Sequence, residues 1–251
     1  MRLLAIETST EACSVAVMAG AEVSERFEVA PRRHAELVLP WAEILLAEAG
    51  LRRADLDAIV GSRGPGAFTG VRLGMSIAQG IALALDRPLV PVSTLAVLAL
   101  GGLRAQGDAD ADTRDRAVDA DGPHDFILAA IDARMGEVYA GAFARDGDGV
   151  RALDRERVVA PDAVERPPAG AWRGVGPGFA AGEGTLERRL GDVLLSVDAT
   201  ALPHAADLVR LGALSLAAGG AMAPEKVEPA YLRDSVALTL AEQAAAREAR
   251  G

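Results

Sequence analysis

The chain has 251 residues, half of them apolar and a quarter charged, and its 26 Lys and Arg stand against 36 Asp and Glu for a formal net charge of −10. That balance excludes disordered, collagenous and disulfide-scaffold proteins, and it argues against a protein that grips nucleic acid through a basic face of its own. The single cysteine, Cys13, cannot form an internal disulfide, no secretory leader is read at the start, and the longest apolar stretches, 71–85 and 89–103, are short for a membrane span and interrupted, so a cytoplasmic address without a membrane partner is expected.

Residues 3–6 are an apolar run, and Cys13, Val15 and Val17 alternate with Ser14, Ala16 and Met18 before the turn pair Ala19-Gly20 and a further strand over 23–29. Period-two alternation of this kind predicts a three-stranded meander. Over 34–49 the apolar residues Leu37, Val38, Trp41, Ile44, Leu45 and Leu46 recur at steps of three and four, and Gly50 supplies a stop, which predicts a helix that Pro40 kinks or whose regular part it begins. A short buried strand follows at 58–61. Then come the glycine-rich turn Arg63-Gly64-Pro65-Gly66-Ala67-Phe68-Thr69-Gly70, a helix to about Leu85, a strand over 89–92 and a helix over 94–103. Strands alternating with helices predict an α/β fold whose mixed sheet is covered by helices.

Residues 104–125 break the pattern, with seven Asp, three Arg and Val118 as the one large aliphatic; the expectation is a solvated, flexible insertion. From Phe126 the chain repeats itself. Leu4-Ala5-Ile6-Glu7 and the alternation after it have a counterpart, 125 residues on, in Ala129-Ala130-Ile131-Asp132 followed by Val138, Ala140 and Ala142, with Asp146-Gly147 as the second hairpin turn. An offset of half the chain points to duplication. The division expected is an N-terminal lobe over 1–103, the acidic insertion over 104–125 and a C-terminal lobe over 126–251, shorter in its helical part, with its final helix free to pack back on the first lobe.

The run from Gly64 to Gly70 sits between a strand and a helix, where backbone N–H groups can hold an anion. It is no Walker A loop, since no Lys-Ser or Lys-Thr follows, and Arg72 substitutes only loosely. The alternative is that these glycines serve positive φ angles and close packing. Behind the turn, residues 73–85 carry no charge and only Ser76 and Gln79 as polar interruptions. A helix apolar all round has no solvent face. Gly70, Gly74, Ala78 and Ala82 step by four into a low ridge against which a second helix fits closely, and the cover is either the helix over 34–49 or another protein. We expect a partner surface built from both helices: His34, Leu37, Val38, Trp41, Leu45, Gly70, Gly74, Ala78 and Ala82.

No metal site is expected, because His34, His124 and His204 lie far apart without ligand spacing. No GxSxG elbow is present. Glu7 and Asp132, at matching strand ends, are either two halves of an interlobe cleft or two loop caps.

The opening Leu4-Ala5-Ile6-Glu7-Thr8-Ser9-Thr10, the run Gly64-Pro65-Gly66-Ala67-Phe68-Thr69-Gly70-Val71-Arg72-Leu73-Gly74 and the strand Leu89-Val90-Pro91-Val92-Ser93-Thr94-Leu95 resemble the TsaB family, also called YeaZ. The likeness continues more loosely in Asp132-Ala133-Arg134 and Pro229-Ala230-Tyr231-Leu232-Arg233. The resemblance implies an actin- and Hsp70-like (ASKHA) fold of two duplicated lobes. It also implies a catalytic paralogue, TsaD, that transfers a threonylcarbamoyl group from an adenylate to N6 of adenosine 37 in tRNAs reading codons that begin with A. The paralogue's metal-binding His-x-x-x-His pair corresponds here to Thr94 and Leu98, neither of which replaces imidazole.

By the same resemblance the nucleotide site is eroded: Glu7-Thr8-Ser9 stands where an Asp-x-Gly loop is usual, and Gly174-Val175-Gly176-Pro177-Gly178 keeps a glycine turn. A vestigial nucleotide or anion site would comprise Glu7, Thr8, Ser9, Gly64, Gly66, Asp132 and Gly176, with no cofactor in the isolated chain and a nucleotide only in complex with partners. The implied partners are a TsaD-type paralogue, met through the helices over 34–49 and 69–85, and a TsaE-type ATPase. tRNA is reached only through that complex, and the isolated chain is expected to form a homodimer. The role implied is a non-catalytic dimerisation and activation subunit without catalytic residues; the alternatives are a glycoprotease-like peptidase and a small ASKHA-type kinase.

Overall fold

The computed structural model describes residues 1–111 and 126–233. β1 (Arg2–Glu7) is buried on both faces from Leu3 onward and lies between β2 (Ala12–Ala19), antiparallel to it, and β4 (Ala58–Ser62), parallel to it. That placement is why its apolar residues run on without alternation. β3 (Glu22–Val29) pairs with β2 through a turn that places Gly20 at φ +67°, and its charged residues suit an edge strand,. β5 (Leu89–Val92) completes a five-stranded sheet in the order β3-β2-β1-β4-β5.

The second sheet repeats the plan. β6 (Phe126–Arg134), β7 (Glu137–Asp146), β8 (Gly149–Ala152), β10 (Trp172–Val175) and β11 (Leu194–Asp198) stand in the order β8-β7-β6-β10-β11, with β9 (Arg157–Val159) also paired to β7. The senses match strand for strand: antiparallel where β6 meets β7, parallel where it meets β10. Glu7 and Asp132 therefore occupy equivalent ends of equivalent strands, and the fold is two mixed sheets covered by helices.

Helices α1 (His34–Glu48), which runs on through Pro40, and α2 (Phe68–Ala84) cover one face of the first sheet. α3 (Thr94–Ala111) continues into the stretch expected to be a flexible insertion, because Leu103, Arg104 and Ala105 carry no helix-stopping signal; the remainder, 112–125, lies outside the described residues. Among the described residues the second lobe has only α4 (Ala181–Leu190) on its outer face, and where α1 would recur the chain passes through β9 and the short turn Pro161–Ala163. α5 (Ala205–Ala217) and α3 change places: Leu95, Leu98, Ala99 and Leu103 of α3 pack on Ile127, Ala129 and Ile131 of the second sheet, while Ala205, Leu208 and Val209 of α5 pack on Leu3, Ala5 and Val60 of the first. Each lobe closes the other's core.

A polar latch secures that exchange. Glu25 of β3 accepts the Ala206 N–H at 2.9 Å, the Ser14 hydroxyl at 2.7 Å and His204 Nδ1 at 3.0 Å, and Ser14 Oγ accepts the Ala205 N–H. A serine, a histidine and an acid thus meet without forming a nucleophilic triad; they cap the start of α5. The hydrogen bond to Glu25 raises His204 above the usual imidazole range against the opposing effect of burial. Burial by itself would raise Glu25, but the bonds from His204, Ser14 and the Ala206 N–H outweigh it and hold the carboxyl below its usual range. The stabilisation from His204 is complete below its unfolded value of 6.5 and is lost as pH rises through the raised folded value; that from Glu25 is complete above 4.5 and is lost as pH falls through the lowered one,. The thermal stability gap between wild type and His204→Ala should therefore be widest between those two values and close on the alkaline side. A gap independent of pH would refute the latch.

Candidate partner surface and interlobe cleft

The glycine run is shaped by the loop that leaves β1. Thr8 and Ser9 lie across the start of α2, with the Ala67 N–H donating to Ser9 O at 2.7 Å and Thr8 Oγ1 donating to Gly70 O at 2.8 Å. A Cβ at Gly66 would stand 2.4 Å from Ser9 O, one at Gly70 2.1 Å from Thr8 O and one at Gly74 2.3 Å from Thr8 Oγ1. The space a phosphate would need at this turn holds protein backbone, so close packing is the reading that the geometry of Gly64, Gly66, Thr8 and Ser9 supports. The second lobe repeats the device. Gly176, at φ +106°, and Gly178 press on Ala130 in the middle of β6, with virtual Cβ atoms 2.3 Å from Ala130 O and 2.7 Å from Ala130 C. Gly64-Pro65-Gly66 and Gly176-Pro177-Gly178, 112 residues apart, thus follow equivalent strands, β4 and β10.

The paired acids act as loop caps. Glu7 Oε1 accepts the Ser9 N–H at 2.7 Å and the Ser9 hydroxyl at 2.5 Å; the residue is fully buried, and burial pushes its carboxyl above the usual range. Asp132 Oδ1 accepts the Arg134 N–H at 2.7 Å, and Oδ2 pairs with the Arg134 guanidinium at 3.0 Å. Thr94 shares a 2.6 Å hydrogen bond with Ser62, and Leu98 is buried in the apolar cluster under the second sheet. Cys13 is sealed in the first core, where burial pushes its thiol up to about 12, so it offers no thiolate,.

Between the lobes lies a cleft of about 810 Å³ bordered by the Ser9–Glu11 loop, the start of α2, the β6–β7 turn and the 229–233 segment. His34 reaches its edge, but Nε2 lies 3.0 and 3.1 Å from the carbonyls of Thr10 and Ala12, so the ring is a donor that ties α1 to the β1–β2 loop. The Pro229–Arg233 segment straps the lobes together: the Ala230 N–H donates to Arg63 O, Tyr231 accepts from Arg72, and Arg233 reaches Ala133 O and pairs with Glu137 at 2.5 Å across the cleft.

The two helices hold a correction. Gly70, Gly74, Ala78 and Ala82 are all buried, against the Thr8 loop and the first sheet, and His34, Val38 and Leu45 are buried beneath α1; Leu37 and Trp41 are half-buried on the same cluster. The expected ridge faces inward. A shift of two residues turns a helix by about 200°, and the outward row with the same step is Arg72, Ser76, Gly80 and Ala84, all exposed. Around it stand the exposed large apolar side chains Phe68 and Leu83, with Leu39 and Ile44 on α1, and the half-buried Leu73, Ile77 and Ile81 join this surface to the core. A Cβ at Gly80 would meet nothing within 4 Å. The outward row of α2 is uncharged and low from Ser76 to Ala84, with exposed apolar side chains on both helices, which suits another helix,.

Comparison with known proteins gives a consistent set. The family model described as TsaD, tRNA N6-adenosine threonylcarbamoyltransferase, matches residues 27–240. The tRNA threonylcarbamoyladenosine biosynthesis protein TsaB of Escherichia coli is 40% identical over 246 residues, covering 94% of this chain and 96% of the relative. The protein of the same description from Haemophilus influenzae is 33% identical, covering 94% and 95%. The solved structure of YeaZ from Pseudomonas aeruginosa superposes with a TM-score of 0.81 at 40% identity, covering 92% of this chain and 99% of that one. Among the described residues no helix is long and apolar enough to cross a membrane.

Proposed function

The chain belongs to the TsaB family of tRNA threonylcarbamoyladenosine biosynthesis proteins, and from that premise we propose that it is the non-catalytic subunit that dimerises with and activates a TsaD-type transferase. The reaction served is formation of N6-threonylcarbamoyladenosine at position 37 of tRNAs that read codons beginning with A. The observation that supports this reading is the outward face of α1 and α2: Leu39, Ile44, Phe68 and Leu83 stay exposed around a low row centred on Gly80. Large apolar side chains grouped on one face mark an interaction site.

The partner of that face is the TsaD-type paralogue; a TsaE-type ATPase joins the pair, and tRNA is held by the assembly. The isolated chain self-associates through the same face. A nucleotide is bound only where partners complete a site, since the glycine turn is filled by Thr8 and Ser9. No specific observation favours a peptidase or a kinase: the Ser14 hydroxyl is engaged by Glu25 and Ala205 rather than by His204, and Glu7 is shut off from solvent.

The test is reconstitution with purified paralogue, ATPase and tRNA. Modification of adenosine 37 should require this chain beside its paralogue, and the chain alone should transfer nothing from the adenylate and show no heat of ATP binding in calorimetry. Turnover by the chain alone, or full activity of the paralogue without it, would overturn the proposal.

A further inference from the structure

We propose that the partner face sets its own register through two reciprocal ion pairs, Arg72 of one copy with Asp86 of a second copy of this chain, in an antiparallel α2–α2 pairing. The inference rests on the reading of the outward α1–α2 face as an assembly surface and adds the charges that orient it. Arg72 and Asp86 are both exposed, and among the described residues neither side chain has an ion-pair partner. Neighbouring arginines differ: Arg134 and Arg233 are paired with Asp132 and Glu137, and Arg87 donates to the carbonyls of Leu56 and Ala54.

The two unpaired charges stand at opposite ends of one helix, Arg72 one turn from its start and Asp86 just past its end. At 1.5 Å per residue they are about 21 Å apart along the axis, and the midpoint falls at Gln79, next to Gly80. A two-fold axis through that midpoint brings the helices together where Ser76 and Gly80 leave room. It lays each Arg72 beside the other copy's Asp86 and brings the exposed Leu83 of one copy within one residue of Ser76 of the other. The helix dipoles add to the match, because the guanidinium meets the negative end of the facing helix and the carboxylate the positive end. A parallel pairing would instead set like charges side by side.

Arg72 is held ready for this contact. Its guanidinium lies 3.5 Å over the Phe68 ring, and one Nη donates to Tyr231 Oη at 3.1 Å, which leaves further donors for a carboxylate,. Phe68 and Tyr231 are 59% and 58% exposed, so the clamp sits at the surface where a second copy can reach it.

The experiment is a charge-swap cycle on the full chain, read by sedimentation velocity across a dilution series with thermal unfolding as a check on folding. Arg72→Asp and Asp86→Arg should each weaken the dimer by about tenfold or more, and the double variant should recover most of that loss. Gly80→Arg, with both charges kept, should also dissociate the dimer. Recovery in the double variant supports the register. A double variant no tighter than either single one overturns it while leaving the face intact if Gly80→Arg still dissociates the dimer. A dimer indifferent to Gly80→Arg, or a wild type that stays monomeric throughout, overturns the face and the register together.

Discussion

Replacing Gly80 with arginine should leave the chain folded and abolish its assembly with a TsaD-type partner. The position is exposed in the interior of α2, and a Cβ there meets nothing within 4 Å. Glycine inside a helix is about 1 kcal/mol less favourable than a good helix former, so the melting temperature should hold or rise slightly. At the interface the outcome reverses, because a guanidinium placed where two helices approach closely must be desolvated without a counter-ion. That costs several kcal/mol, and ~1.4 kcal/mol is already a factor of ten in affinity, so co-purification should be lost. Undiminished heterodimer would show that the face lies elsewhere. Ala78→Arg, which the sequence alone suggests as the same test, fails for a different reason: Ala78 is fully buried against the first sheet, and the variant would lose its fold before its partner.

Gly70→Ala, on the opposite side of the same helix, should do the reverse and cost stability. The added methyl would stand 2.1 Å from the carbonyl oxygen of Thr8, a backbone atom whose residue also donates its hydroxyl to Gly70 O at 2.8 Å. Neither segment can move aside easily, since Ser9 is held by Glu7 and by the Ala67 N–H. Overpacking against rigid neighbours costs about 1–3 kcal/mol and occasionally more, and the upper end is expected here. For a chain of this length that corresponds to a melting temperature lower by roughly 6–12 °C. Chemical denaturation of both variants checks the contrast; a Gly70→Ala protein within ~0.5 kcal/mol of wild type would mean that the Thr8 loop is free to shift.

These two glycines show how far the sequence could be read. That α2 is apolar all round was legible, and so was the need for cover on two sides. Which side meets the sheet was not, because past Arg72 the helix has only Ser76 and Gln79 as polar residues: Ser76, Gly80 and Ala84 on one row are as small as Gly70, Gly74, Ala78 and Ala82 on the other, and both rows step by four. The deciding facts are the carbonyls of Thr8 and Ser9, which are near α2 only once β1 and β4 have paired. Glu7 and Asp132 were legible as equivalents, but their work as caps needed the Ser9 and Arg134 N–H groups brought round by the turns. His34 looked like a partner contact from its place at the start of α1 and proves to be a tie to the carbonyls of Thr10 and Ala12. The second Gly-Pro-Gly is visible in the sequence as a glycine turn, but its equivalence to the first needs the matched places of β4 and β10, because its helix, α4, is short and begins late.

The sequence by itself determined the strands and helices of the first lobe, the opening hairpin of the second and the repeat that links them, since each of these is written in local periodicity or in residue types a few positions apart. Tertiary structure decided which face of α2 looks outward, that α3 and α5 each cover the other lobe's sheet, and that Glu25, Ser14 and His204 form a latch. The physical reason is that local patterns state how much apolar surface an element must bury, whereas the neighbour that buries it is selected by backbone pairing between segments far apart in the chain.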